Sequence, residues 1–130
     1  MKTKEDVESY LMRMGVPYAD TGDNTWVITG ADGVENMAIA FDAPVLVFRV
    51  KVLPLPKDPA QKIELYETVL GFNAREMVHG AYGIEADSLV ITDALQLENL
   101  DFNEFQATVD DITLAVADHY TRLSKFRAAA

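Results

Sequence analysis

The sequence predicts an α+β fold, an antiparallel sheet with helices packed on it. Three observations carry this prediction. Short runs rich in β-branched and aromatic residues follow one another across turn-forming residues, which is the pattern of hairpins and not of parallel crossovers. Between Val45 and Leu53, the residues Leu46, Phe48, Val50 and Val52 alternate with Val45, Val47, Arg49 and Lys51, the period of a strand with one face in a core. Near the end of the chain, Phe102, Phe105, Val109, Ile112, Val116, Tyr120 and Leu123 form one continuous stripe at helical spacing.

The elements follow in order. Thr3 caps a first helix with Asp6 in its first turn, and Val7, Tyr10, Leu11 and Met14 share its apolar stripe until Gly15 and Pro17 end it. Asp20 to Asn24 reads as a turn, and Thr25 to Thr29 as the first strand. A hairpin-like turn at Ala31-Asp32-Gly33 leads to a second strand, in which Met37, Ile39 and Phe41 lie on one face. Asp42-Ala43-Pro44 turns the chain into the third strand, with Arg49 and Lys51 expected in water. Leu53-Pro54-Leu55-Pro56 is expected to act as a rigid connector outside the sheet, because two prolines remove ladder donors. Asp58, Pro59 and Gln61 then open a second helix running to about Phe72. Met77 to Glu85 and Leu89 to Thr92 form a second hairpin around Ala86-Asp87-Ser88, and Asp101 to Glu104 caps the last helix. The expected order is α-β-β-β-α-β-β-α, a single domain over residues 1–130 with no repeat or dividing linker.

Charge and composition exclude several functions. Eleven Lys and Arg stand against 21 Asp and Glu, a net charge of −10, so the general field repels polyanions and a nucleic-acid partner is not expected. There are no cysteines, which removes disulfide scaffolds, thiol nucleophiles and cysteine-bound zinc. No apolar run is long enough to cross a bilayer, and the acidic start Glu5-Asp6 lacks the apolar region of a secretory signal. A cytoplasmic protein without a membrane role is expected.

Catalytic motifs are likewise missing. Ser9, Ser88 and Ser124 sit in no G-x-S-x-G setting, and no glycine cluster makes a phosphate cradle. Asp20, Gly22 and Asn24 have the opening spacing of a calcium loop but lack its third-position ligand, sixth-position glycine and twelfth-position glutamate, so a polar turn is the simpler reading. His79 and His119 fall in different elements without metal-ligand spacing and read as structural or exposed. No metal, cofactor or catalytic residue is assigned. A small enzyme or ligand-binding protein with a carboxylate and histidine pocket stays open as the alternative, with His79, Glu85 and His119 its test positions.

The second helix carries an unusually wide apolar arc. Ile63, Tyr66 and Leu70 make one stripe and Leu65, Val69 and Phe72 another, together about half the circumference where one sheet face needs roughly 100°. The excess calls for a second partner surface, either another helix of this chain or another copy.

From Leu65 onward, a helix ending near Asn73 leads into His79-Gly80-Ala81-Tyr82-Gly83-Ile84-Glu85. The short strand Leu89-Val90-Ile91 follows, then Leu95-Gln96-Leu97-Glu98-Asn99-Leu100 and the capped helix. This arrangement resembles the type III secretion chaperone-like superfamily, which includes CesT-type secretion chaperones and YbjN-type bacterial proteins. The resemblance implies that fold, no enzymatic activity, a homodimer, and the holding of a client or partner protein segment against apolar patches. It places the dimer interface on the second helix and the strand beside it, with Ile63, Tyr66, Leu70, Leu89 and Ile91 as candidate contacts; either helix stripe could be the internal one. Met12 and Met14, with the lone Trp26, are the candidate partner-binding patch, methionine being adaptable to varied apolar partners. The competing reading is that Met14 and Trp26 seal the core.

Overall fold

The computed structural model describes residues 1–30 and 36–129. The elements are α1 (Lys4–Met14), β1 (Tyr18–Gly22), β2 (Thr25–Ile28), β3 (Met37–Asp42), β4 (Val45–Pro54), α2 (Pro59–Arg75), β5 (Ala81–Glu85), β6 (Ser88–Gln96), α3 (Phe102–Tyr120) and α4 (Ser124–Ala129). The six strands form one antiparallel sheet in the order β1-β2-β3-β4-β6-β5. The expected turn at Ala31-Asp32-Gly33 lies outside the described residues.

The expected α+β class holds, with one strand and one short helix added. Tyr18 to Gly22, whose second half reads as a turn in sequence, pairs with β2, and only Asp23 and Asn24 remain as the loop. Both carry positive φ, 51° and 59°, the two-residue hairpin geometry for which Asp and Asn are suited. The connector Leu53-Pro54 also behaves differently from expectation: β4 continues through it, pairing Leu53 with Leu89 and Pro54 with Ser88 after an irregularity in register. Pro54 is tolerated at the end of β4 because, among the described residues, β3 pairs with β4 as far as Val50 and no described strand faces the missing donor. Helix α2 runs one turn further than expected, to Arg75, with Glu76 as its C-cap.

Each long helix starts at a side-chain cap. Thr3 and Asp6 form a reciprocal capping box on α1. Asp58 accepts from the Gln61 backbone N–H at 3.1 Å and Asp101 from Glu104 at 2.7 Å. These bonds satisfy N–H groups that a helix start leaves without partners.

Helices cover one face of the sheet. Val7 and Leu11 of α1, Leu65, Val69 and Phe72 of α2, Phe105 and Ile112 of α3, and Phe126 of α4 join Ile39, Leu46, Phe48, Val50 and Ile91 in one core. The opposite face carries exposed Arg49 and Lys51, where Arg49 pairs with Glu85 at 3.1 Å. The C-terminal stripe also differs from expectation. The chain leaves α3 at Tyr120 and passes through a turn, Thr121 to Leu123, into α4, with Leu123 still buried. Tyr120 is partly exposed, and its place in the core is taken by His119.

Candidate functional site

The two apolar stripes of α2 have separate fates. Leu65, Val69 and Phe72 are buried, whereas Ile63 and Leu70 are 59% and 63% exposed and Tyr66 is half-buried. Facing Leu70 across a short gap is β5, an edge strand, which turns Ile84 outward at 53% exposure. Tyr66, Leu70 and Ile84 wall an open apolar groove of about 250 Å³ whose floor includes Val69, Tyr82 and Leu89. Side chains of this size left in water on neighbouring elements make a patch that a partner would bury with gain.

The structure therefore brings Ile63, Tyr66 and Leu70 together on the surface, with Leu89 beneath them. Ile91 requires a correction: it is fully buried opposite Tyr82 and offers no surface to a partner. Leu89 is also fully buried and reaches the groove only as part of its floor. A second correction concerns Trp26. Its ring is 1% exposed, and its indole N–H donates to Glu8 of α1 at 3.1 Å, so it seals the core under α1 and is not a contact. Met14 is half-buried against the core and Met12 is 66% exposed on α1. Of the proposed patch, Met12 is the open member.

The three polar test positions are not gathered into one pocket. Glu85 pairs with Arg49. His79 is hydrogen-bonded through Nδ1 to Asp111 of α3, both side chains about one-third exposed. His119 sits elsewhere, 2% exposed, stacked on Phe72 with ring centroids 3.9 Å apart and planes at 20°. Its Nδ1 lies 2.7 Å from the Tyr82 hydroxyl and its Nε2 3.0 Å from Glu76 Oε1. Two bonds from Arg122, at 3.0 and 2.6 Å, complete the coordination of the Glu76 carboxylate.

The ionisation of this cluster follows from its contacts. Arg122 first, and then His119, hold the Glu76 carboxyl at about 2 by hydrogen bonding to its charged form. Burial pushes the Tyr82 phenol up, so it keeps its proton. Tyr82 thus donates to Nδ1 of His119, and Nε2–H donates to Glu76, with the tautomer assigned from the bonding pattern. The chain of groups runs from the buried Tyr82 and His119 out to the partly exposed Glu76 and Arg122. It ties the C-terminal end of α2, β5, α3 and the α3–α4 connection together. Sequence reasoning missed Glu76, Tyr82 and Arg122 as a unit, although His119 lies three residues after Val116 and seven after Ile112, helical spacing that marks an inward position.

Among the described residues there is no group of three or more His, Asp or Glu side chains able to hold a metal ion. No described helix is long and apolar enough to cross a membrane.

Comparison with known proteins places this geometry. The family model CesT_Tir_1 matches residues 1–129. The chain belongs to the CesT_Tir_1 family. The resemblance to type III secretion chaperones and to YbjN drawn from the sequence is shown in structure as well. YbjN from E. coli superposes with a TM-score of 0.67 at 14% identity, covering 93% of each chain. A chain of the ExsC-ExsE complex gives 0.66 at 15% identity, covering 100% of this chain and 100% of that one. The ExoU-SpcU complex from the type III secretion system of Pseudomonas aeruginosa gives 0.67 at 14% identity over 86% of this chain and 93% of the other. At these identities the likeness is one of fold. No curated protein matches the chain in sequence.

Proposed function

We propose that this protein is a non-enzymatic, cytoplasmic partner-binding module that works as a homodimer and holds a segment of another protein, as a chaperone or regulatory adaptor. The observation that carries the reading is the outward stripe Ile63, Tyr66 and Leu70 of α2 beside exposed Ile84 of β5. The three helix positions fall three and four residues apart, so two copies of α2 can lay the same stripe against itself about a two-fold axis. Family membership supports the partner-holding role, and solved relatives include a HopA1-SchA chaperone-effector complex and ExsC bound to ExsE. In the alternative, an enzyme with a histidine pocket, His119 would need solvent access, and its ring is enclosed by Phe72 and Tyr82.

Two measurements test the reading. Light scattering at micromolar concentration should return twice the 14.4 kDa chain mass, and a monomer mass would overturn the homodimer. Cross-linking in the native host, followed by mass spectrometry, should recover a partner protein whose yield falls when Met12 is replaced by Asp. Recovery of this chain alone would overturn the adaptor role.

A further inference from the structure

Among the described residues β5 is an edge of the sheet, paired with β6 on one side only. An edge strand offers a row of free N–H and C=O groups to any strand that comes alongside, and proteins close such rows by specific devices. In β5 the outward pair at Tyr82 is already taken. Its N–H donates to Oδ1 of Asn73 on α2 at 2.8 Å, and its C=O accepts from Nδ2 of the same side chain at 3.2 Å. A single amide thereby makes the two bonds that a facing residue would exchange in an antiparallel ladder.

The consequence follows from the pleat. Outward pairs recur every second residue, so the next after Tyr82 is Ile84, and β5 ends one residue later at Glu85. With Tyr82 occupied, one outward pair remains within the strand beyond it, too few for a ladder. Ile84 nevertheless keeps its side chain exposed toward α2 and the groove. The same strand is therefore blocked along its backbone while its side chains stay open.

We propose that Asn73 determines the kind of contact this face makes: it closes the β5 edge to strand pairing, so that a second copy is taken through side chains and two sheets are not joined edge to edge. The proposal deepens the dimer reading given above and rests on it for the identity of the partner copy.

The test uses the full chain. Asn73→Ala removes both bonds, and Asn73→Asp keeps the acceptor for Tyr82 N–H while removing the donor to its C=O. Hydrogen exchange of the Tyr82 amide should rise about tenfold or more in Asn73→Ala, as for loss of a protecting hydrogen bond, and remain nearer the parent in Asn73→Asp. The chain has no cysteine, and a Cβ at Gly83 meets nothing within 4 Å, so Gly83→Cys is a clean reporter of β5–β5 pairing. Under mild oxidation the single variant should stay unlinked. The double variant with Asn73→Ala should link at least about tenfold more, with light scattering showing species larger than a dimer. Should Asn73→Ala lose its fold by circular dichroism, Asn73→Asp carries the comparison, with partial linking expected. Equal linking with and without Asn73, together with unchanged mass and Tyr82 exchange, overturns the proposal. A monomeric parent protein would overturn the dimer reading instead, and Tyr82 exchange in the variants would still decide whether Asn73 guards the edge.

Discussion

The Glu76 carboxylate accepts from both terminal nitrogens of Arg122 and from His119, and it is held at about 2 against an ordinary value of 4.5. A carboxylate with a depressed folded-state value stabilises the fold above the unfolded value and loses that contribution as pH falls toward the folded one. Stability measured by chemical denaturation is therefore expected to drop between pH 4.5 and about 2, and Glu76→Gln should flatten that part of the curve while lowering the plateau at pH 7. A Glu76→Gln curve parallel to the parent's would show that the drop comes from other carboxylates. His119→Ala should cost about 2–4 kcal/mol in the same assay, from the stacking volume lost against Phe72 and the stranded Tyr82 hydroxyl. At this scale the sequence is only partly readable. Helical spacing alone marks His119 as inward, but its partners Tyr82 and Glu76 come from other elements, 37 and 43 residues away, and no local pattern encodes that meeting. Trp26 is the opposite case: a lone tryptophan in a strand is ordinarily core, and its bond to Glu8 shows why this one can be fully covered.

Helix α2 carries a buried and an exposed apolar stripe within seventeen residues. Leu65 is fully buried and Leu70 is 63% exposed, so equal-sized side chains five residues apart should answer different assays. Leu65→Ala is expected to lower the stability of the folded chain by about 2–5 kcal/mol, as truncation in a packed core does. Leu70→Ser should leave monomer stability within about 0.5 kcal/mol and shift the mass toward monomer in light scattering; retention of a full dimer would place the interface elsewhere. The width of the apolar arc was legible in the sequence, but which stripe faced inward was not, because both are equally apolar and the choice depends on where β5 and α4 dock. Strand β1 was illegible for a related reason. Asp20 and Gly22 have poor strand propensity, and the segment forms a strand because β2 supplies a partner. The caps at Thr3, Asp58 and Asp101 were legible because their bonds span three residues, and Thr3→Ala should cost about 1 kcal/mol in thermal or chemical denaturation.

Over the whole molecule, a net charge of −10 sets the conditions under which an apolar face can be used. Bringing two such chains together places charge of one sign within a few tens of ångströms of itself, and the repulsion opposes association unless salt screens it. The groove walls carry no charge to offset this, being Tyr66, Leu70 and Ile84. An interface held by apolar burial between like-charged chains strengthens with ionic strength, whereas one held by ion pairs weakens. The class of fold was legible at this scale, since alternation and helical stripes extend over whole elements, and so was the charge. The sign of the salt response joins the two, because it depends on which residues the fold leaves outside. Sedimentation equilibrium at about 50 mM and about 500 mM sodium chloride, a range over which the screening length falls from roughly 14 to roughly 4 Å, should therefore show the dimer dissociation constant falling about three- to tenfold. A constant that rises with salt would mean that charged side chains flanking α2 hold the two copies together, and the groove would then lose its role as the seat of the interface.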